Sequence, residues 1–320
     1  MPQPPSLRDI ERARSIVDAH RPRIPALYSP VFSRMAGCEV YLKLECLGPM
    51  GSYKWRGAIN CLAQLAPDER ARGVITASTG NHGAGVAWAA RQVGITATVV
   101  LPVGMPDIKR NNIADMGGQV VIGGNNWNES CAVARGIAHD RGMRYIEDGD
   151  DPAVMAGVGT IALDILDELP DAGAMVMAVG GGNLIAGCAI AARGKRALLQ
   201  LIGVQSDAAP GTWQSWRRGE IVSAACDTFA GGMATTGPVE MAFQVMRAHI
   251  DDILLVSEEE LLQAIALLVR HHALITEGAG AAPLAALLRY REQFALKRVV
   301  LLVSGRNLDA PTLMKALTTA

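Results

Sequence analysis

The chain reads as an α/β protein built on two open parallel sheets, and three features of the sequence point there. Short β-branched runs alternate with longer segments of helical spacing through almost the whole chain. The strand-like runs are apolar on both faces, as strands covered by helices on either side must be. No change of composition marks a linker, so the two domains expected from 320 residues are interleaved rather than strung in series.

The elements follow in order. Ser6 and Asp9 frame the start of the first helix, as a capping pair three residues apart does. "EVYLKLE" (39–45), "GVITAS" (73–78), "TATVVLP" (96–102) and "QVVIGG" (119–124) are strands, with helices expected over 54–65, 81–93 and 107–116. A second series of strands comprises "AMVMAVG" (174–180), "LLQLIGVQ" (198–205), "DILLVS" (252–257) and "RVVLLVSG" (298–305). Ser257 and Glu260 form a capping box ahead of an apolar face at Leu261, Ile265, Leu268 and Val269.

Bulk properties exclude several function classes. The net charge is −1, which gives no long-range attraction to nucleic acid or to an anionic membrane. The polar start "MPQPPSLRDIERAR" lacks the apolar core of a secretory signal, and no apolar run reaches the roughly 20 residues of a membrane span. Six cysteines, at 38, 46, 61, 131, 188 and 226, show no metal-ligand spacing. A cytoplasmic protein without zinc or disulfides is expected.

Three glycine-containing segments sit where a strand meets a helix, the place where open α/β sheets bind ligands. The first is "MGSYKWRGAIN" (50–60), which sets Lys54 between two aromatic residues. Partial loss of water there should lower the amine's pKa and leave a nucleophile or base. The second is "TASTGNHGAGVAWAA" (76–90). Ser78, Thr79 and Asn81 offer polar groups, Gly80 and Gly83 let the backbone close on a small ligand, and the first helical turn offers N–H groups to a carboxylate. His82 is read as packing rather than catalytic. The third is "AVGGGNLIAG" (178–187), where Gly180, Gly181 and Gly182 lead into a helix suited to a phosphate. It matches neither the P-loop nor the dinucleotide fingerprint. An amine, a carboxylate site and a phosphate site on one scaffold together suit pyridoxal 5′-phosphate acting on an amino acid.

The chain resembles the fold-type II pyridoxal-phosphate enzymes, in the serine/threonine dehydratase and serine racemase branch, from about residue 10 to 310. "GSYKWRGA" resembles that family's lysine segment, which makes Lys54 the Schiff-base lysine. "STGNHGAGVA" resembles its carboxylate loop and implies substrate contacts at Ser78, Thr79, Gly80, Asn81 and His82, with Asn81 also facing the cofactor's 3′-oxygen. "GGGNL" implies a phosphate cradle at Gly180, Gly181, Gly182, Asn183 and Leu184. "EGAGA" places Glu277 against the cofactor, and "VSGRN" makes Ser304 the partner of the pyridine nitrogen.

The resemblance implies a tryptophan-synthase-β-like fold with the cofactor in the cleft between the domains. The large one is expected over 1–45 plus 144–320 and the small one over 46–143. It also implies a homo-oligomer, a small-molecule amino-acid substrate, and α,β-elimination from a β-hydroxy amino acid, threonine-like, serine-like or 3-hydroxyaspartate. Thr79 stands where racemases carry a second acid/base serine, so it is a candidate catalytic group and a racemase is the alternative. A non-catalytic binding protein is the third reading.

Several positions depart from the family pattern. Gln205, Ala209 and Gly211 stand where metal-activated relatives place Glu, Ala and Asp, so no divalent cation is expected, since hard cations need carboxylates. Gly231, Gly278 and Arg306 replace an aspartate, a proline and a glycine. The motifs lean toward the dehydratases associated with hydroxyectoine use. With the chain ending shortly after the last strand, no isoleucine-responsive regulatory domain is expected.

Overall fold

A computed structural model of the chain describes residues 3–78, 80–105, 107–195 and 198–319. Among the described residues ten strands form two sheets. They are β1 (Ala26–Tyr28), β2 (Glu39–Lys43), β3 (Val74–Ala77), β4 (Ala97–Leu101), β5 (Gln119–Ile122), β6 (Arg144–Tyr145), β7 (Ala174–Ala178), β8 (Gln200–Ser206), β9 (Asp252–Val256) and β10 (Arg298–Leu302). The larger sheet runs β1-β2-β10-β7-β8-β9 and the smaller β5-β4-β3-β6. Every pairing is parallel except β1 with β2. The expected α/β architecture with two parallel sheets is borne out.

Burial on both faces explains the unbroken apolar runs. In β10, Val299 and Leu301 join a core that includes Leu261, Ile265 and Leu284, while Val300 and Leu302 face a second core with Met155, Ile161 and Ile185. The smaller sheet repeats the pattern. Val74, Val99 and Leu101 pack with Ile59 and Val86, whereas Ile75 and Val100 pack with Cys131 and Ala134. Trp213 and Trp216 pack against the second core of the larger unit.

Both expected capping boxes form. Ser6 Oγ accepts from Asp9 N–H at 3.3 Å, and Ser257 Oγ accepts from Glu260 N–H at 3.2 Å. Two strands escaped the sequence pattern, β1 and β6, with three and two residues. β6 hydrogen-bonds to β3, so Arg144 and Tyr145 belong to the smaller sheet although the expected division assigns them to the larger unit.

All six cysteines are free. Among the described residues no helix is long and apolar enough to cross a membrane. The chain leaves β2, β7 and β10 of the larger sheet and β3 of the smaller at one cleft, and this brings the three glycine-rich segments together.

Candidate active site

Lys54 stands at the N-cap of the helix Trp55–Ala63, at the end of a turn sewn to the exit of β10. Tyr53 N–H donates to the Ser304 carbonyl at 3.1 Å, and Arg306 N–H donates to the Gly51 carbonyl at 2.9 Å. The turn needs glycine at 51, where φ is +79°. Of the two flanking aromatics only Tyr53 keeps company with the amine, its ring centroid 5.4 Å from Nζ. Trp55 is buried and meets Trp88 edge-on at 5.5 Å.

The expected fall in the Lys54 pKa is corrected by a residue the sequence reading passed over. Lys54 Nζ donates to Asp148 Oδ1 at 2.5 Å. Burial pulls the amine's pKa down, but the Asp148 carboxylate and Tyr53 more than offset this, so the net shift is upward. Asp148 itself is held below the usual carboxylate range: burial opposes this, and the Lys54 charge beside it prevails.

The loop before the helix Asn81–Val93 is organised by Ser78. Its buried hydroxyl accepts from Gly83 N–H at 2.9 Å and Gly80 N–H at 3.2 Å, which turns it inward to shape the loop. Gly83 must be glycine, because a Cβ there would lie 2.8 Å from Val99. Around Gly80 there is open space. Thr79 lies outside the described residues. His82 is buried, its Nε2 3.2 Å from the Ile146 carbonyl and its Nδ1 3.4 Å from Asp148 Oδ1. Asn81 bridges the cleft: its Nδ2 donates to Glu277 Oε1 at 2.8 Å, and its Oδ1 accepts from Asn307 at 2.6 Å.

At the exit of β7 the triple glycine turns under the backbone of Gly232. A Cβ at Gly180 would lie 2.6 Å from the Gly232 carbonyl oxygen, and Gly182 has φ +100°. Among the described residues the N–H groups of Gly181, Gly182, Asn183 and Leu184 donate to no protein acceptor. They open the helix Asn183–Lys195 and present donors to an anion. The Asn183 side chain turns to the Asp148 carbonyl at 2.7 Å, and its Oδ1 is buried without a partner.

Ser304 is 3% exposed, and its hydroxyl has no partner among the described residues. Glu277 packs so closely on Gly305 that a Cβ there would lie 2.1 Å from Oε1. Burial pushes its carboxyl up to about 7, against the Asn81 hydrogen bond and the charges of Lys54 and Lys109.

The departures acquire reasons. A Cβ at Gly278 would lie 2.6 Å from that of Ala230, so the proline of the family pattern has no room. Arg306 is exposed. Gln205 is buried, accepts from Trp213 N–H at 2.8 Å and leaves its Nε2 unpaired. A Cβ at Gly211 would lie 1.9 Å from the Thr236 carbonyl oxygen, which bars a carboxylate from that position. Among the described residues no cluster of His, Cys, Asp and Glu could hold a metal ion.

A family model described as pyridoxal-phosphate dependent enzyme matches residues 17–305. The chain belongs to that family. An L-threonine ammonia-lyase of Geobacter sulfurreducens is 40% identical to this pyridoxal-phosphate enzyme over 292 residues, 91% of this chain and 73% of the relative. The L-threonine dehydratase catabolic TdcB of Staphylococcus aureus is 38% identical over 95% of this chain and 89% of its own. Among solved structures, the processed form of threonine deaminase isoform 2 from Solanum lycopersicum superposes with a TM-score of 0.92 at 31% identity, covering 100% of this chain and 96% of that one. Maize serine racemase superposes with a TM-score of 0.93 at 26% identity, covering 98% and 97%.

The cofactor of this pyridoxal-phosphate enzyme is pyridoxal 5′-phosphate, and the residues present fit it. Four unspent N–H groups on a glycine turn suit its phosphate, the unpartnered Ser304 hydroxyl suits its ring nitrogen, and Lys54 supplies an amine in the same cleft. The feature the sequence reading missed is Asp148. In "IEDGDDP" it reads as part of a solvated acidic loop, and only the fold shows it touching all three motifs, through Lys54, His82 and Asn183.

Proposed function

We propose that this protein is a β-hydroxy amino-acid ammonia-lyase that converts threonine or serine to the 2-oxo acid and ammonia. The observation that carries it is Ser304, 3% exposed, whose uncharged hydroxyl makes no hydrogen bond among the described residues, in the cleft that holds Lys54. The relatives named as threonine ammonia-lyases and dehydratases support the same reaction.

When bound, the cofactor supplies an aldehyde for the substrate amine and a ring that draws electrons from Cα. The chain's own residues do the rest. The N–H groups from Gly181 to Leu184 hold the phosphate, and Asn81 and Glu277 line the ring. Ser304 offers the ring nitrogen a neutral hydrogen-bond partner, which favours prompt loss of the β-hydroxyl over long-lived carbanion chemistry. The loop shaped by Ser78, with Gly80, Asn81 and His82, receives the substrate carboxylate. Lys54 takes the Cα proton.

The racemase reading asks for a second acid/base group at Thr79, and nothing in the described residues favours it. We infer a two-part division, 46–145 against the rest, with the cofactor between; β6 moves the boundary past Tyr145. A cytoplasmic setting is what the free cysteines support, and the family resemblance supports a homo-oligomer.

Purified protein should release ammonia and 2-oxo acid from L-threonine or L-serine, and Lys54→Ala should lose both turnover and the visible absorbance of bound cofactor. Cofactor-loaded protein that releases ammonia from neither amino acid overturns the assignment.

A further inference from the structure

We propose that Asp148 is the counter-ion of Lys54 in the working enzyme, fixing the amine in position and, by its charge, restricting the substrate to β-hydroxy amino acids without a second carboxylate. This rests on the proposed ammonia-lyase reaction and narrows its substrate class.

The placement of Asp148 is specific. Its Oδ1 is 2.5 Å from Lys54 Nζ and 3.4 Å from His82 Nδ1, and its carbonyl accepts from Asn183 Nδ2 at 2.7 Å. The last bond anchors the backbone of Asp148 to the phosphate turn and so keeps its carboxylate within reach of Lys54. The carboxylate is 46% exposed, whereas Lys54 is 17% exposed. The other charged or titratable groups around Lys54 are Tyr53 on its own turn, His82 on the helix Asn81–Val93, and Glu277 from the larger unit, whose own neighbours include Lys109.

When Lys54 takes the Cα proton it becomes an ammonium, and the new charge lies against Asp148. No proton leaves the pair, and stabilising that product strengthens the base. The same charge repels an acidic side chain. Among the described residues, the positive charge at the centre of this cleft is Lys54 itself, already matched by Asp148.

The test compares cofactor-loaded wild type with Asp148→Asn and Asp148→Glu. The visible absorbance of bound cofactor depends on protonation of the Lys54 nitrogen, and its pH midpoint should fall by about one unit in Asp148→Asn and recover in Asp148→Glu. In Asp148→Asn kcat should drop more than KM changes, and the kcat/KM for 3-hydroxyaspartate relative to threonine should rise about tenfold. An unmoved midpoint overturns the counter-ion role, and an unmoved ratio overturns the charge selection. If wild type releases ammonia from no substrate, the ammonia-lyase reading falls, while the absorbance titration still decides whether Asp148 pairs with Lys54.

Discussion

Arg56 closes a buried fork on Glu45, with Nε 2.9 Å from one carboxylate oxygen and Nη2 2.8 Å from the other. The same guanidinium donates to Asp164 at 2.9 Å and to Thr160 at 3.0 Å, and all three charged side chains are at most 1% exposed. Arg56 lies in the first turn of the helix that Lys54 caps, so this fork locks the reactive turn to the larger unit. Removing Arg56 leaves the Glu45 carboxylate uncompensated in the interior. Arg56→Met should cost about 3–5 kcal/mol in urea unfolding and lower kcat with it.

The phosphate turn is bounded by backbone on one side only. Gly180→Ala drives a methyl against the Gly232 carbonyl at 2.6 Å, whereas a Cβ at Gly231 meets nothing within 4 Å. Gly180→Ala should therefore lose about 1–3 kcal/mol and bind cofactor more weakly. Gly231→Ala should stay within about 0.5 kcal/mol of wild type. Thermal melts and cofactor titration by absorbance check both.

Ser304 makes no side-chain hydrogen bond to the described protein, so its hydroxyl can be removed without breaking one. Ser304→Ala should leave the melting of cofactor-free protein nearly unchanged. Cofactor affinity should weaken about tenfold, the worth of one hydrogen bond. Equilibrium titration with pyridoxal 5′-phosphate measures it.

Glu277 gives a pH dependence with a definite sign. Its carboxyl is raised from 4.5 to about 7, so the native state holds a proton that the unfolded chain has already lost in that window. Its contribution is full below pH 4.5 and is lost as pH rises through about 7. Glu277→Gln removes this loss. The melting temperature of the variant relative to wild type should rise between pH 5 and pH 8, and a constant difference would contradict the assignment.

Much of the fold was legible because parallel strands covered on both faces leave a plain apolar record, as "AMVMAVG" and "RVVLLVSG" do. β1 and β6 were not, since strands of three and two residues at sheet edges carry too few positions to show a pattern. The glycine turn and the lysine segment could be read because each needs residue types that few other roles require. Asp148 could not, because an acidic residue in a loop is ordinarily solvated, and its meaning comes from residues distant in sequence. The hydroxyl of Ser78 was legible as a polar group but not in its direction, which depends on the N–H of Gly83 behind it.

The neighbour relation of β2 and β10 carries a consequence for biogenesis. These strands pair along their whole length, yet one is made early in translation and the other close to its end. The middle of the larger sheet stays open on the ribosome until β10 arrives, a high-contact-order closure that delays the final step of folding. Ser304 follows that same closing strand by two residues, so a nascent chain can assemble the smaller sheet well before it can retain its vitamin.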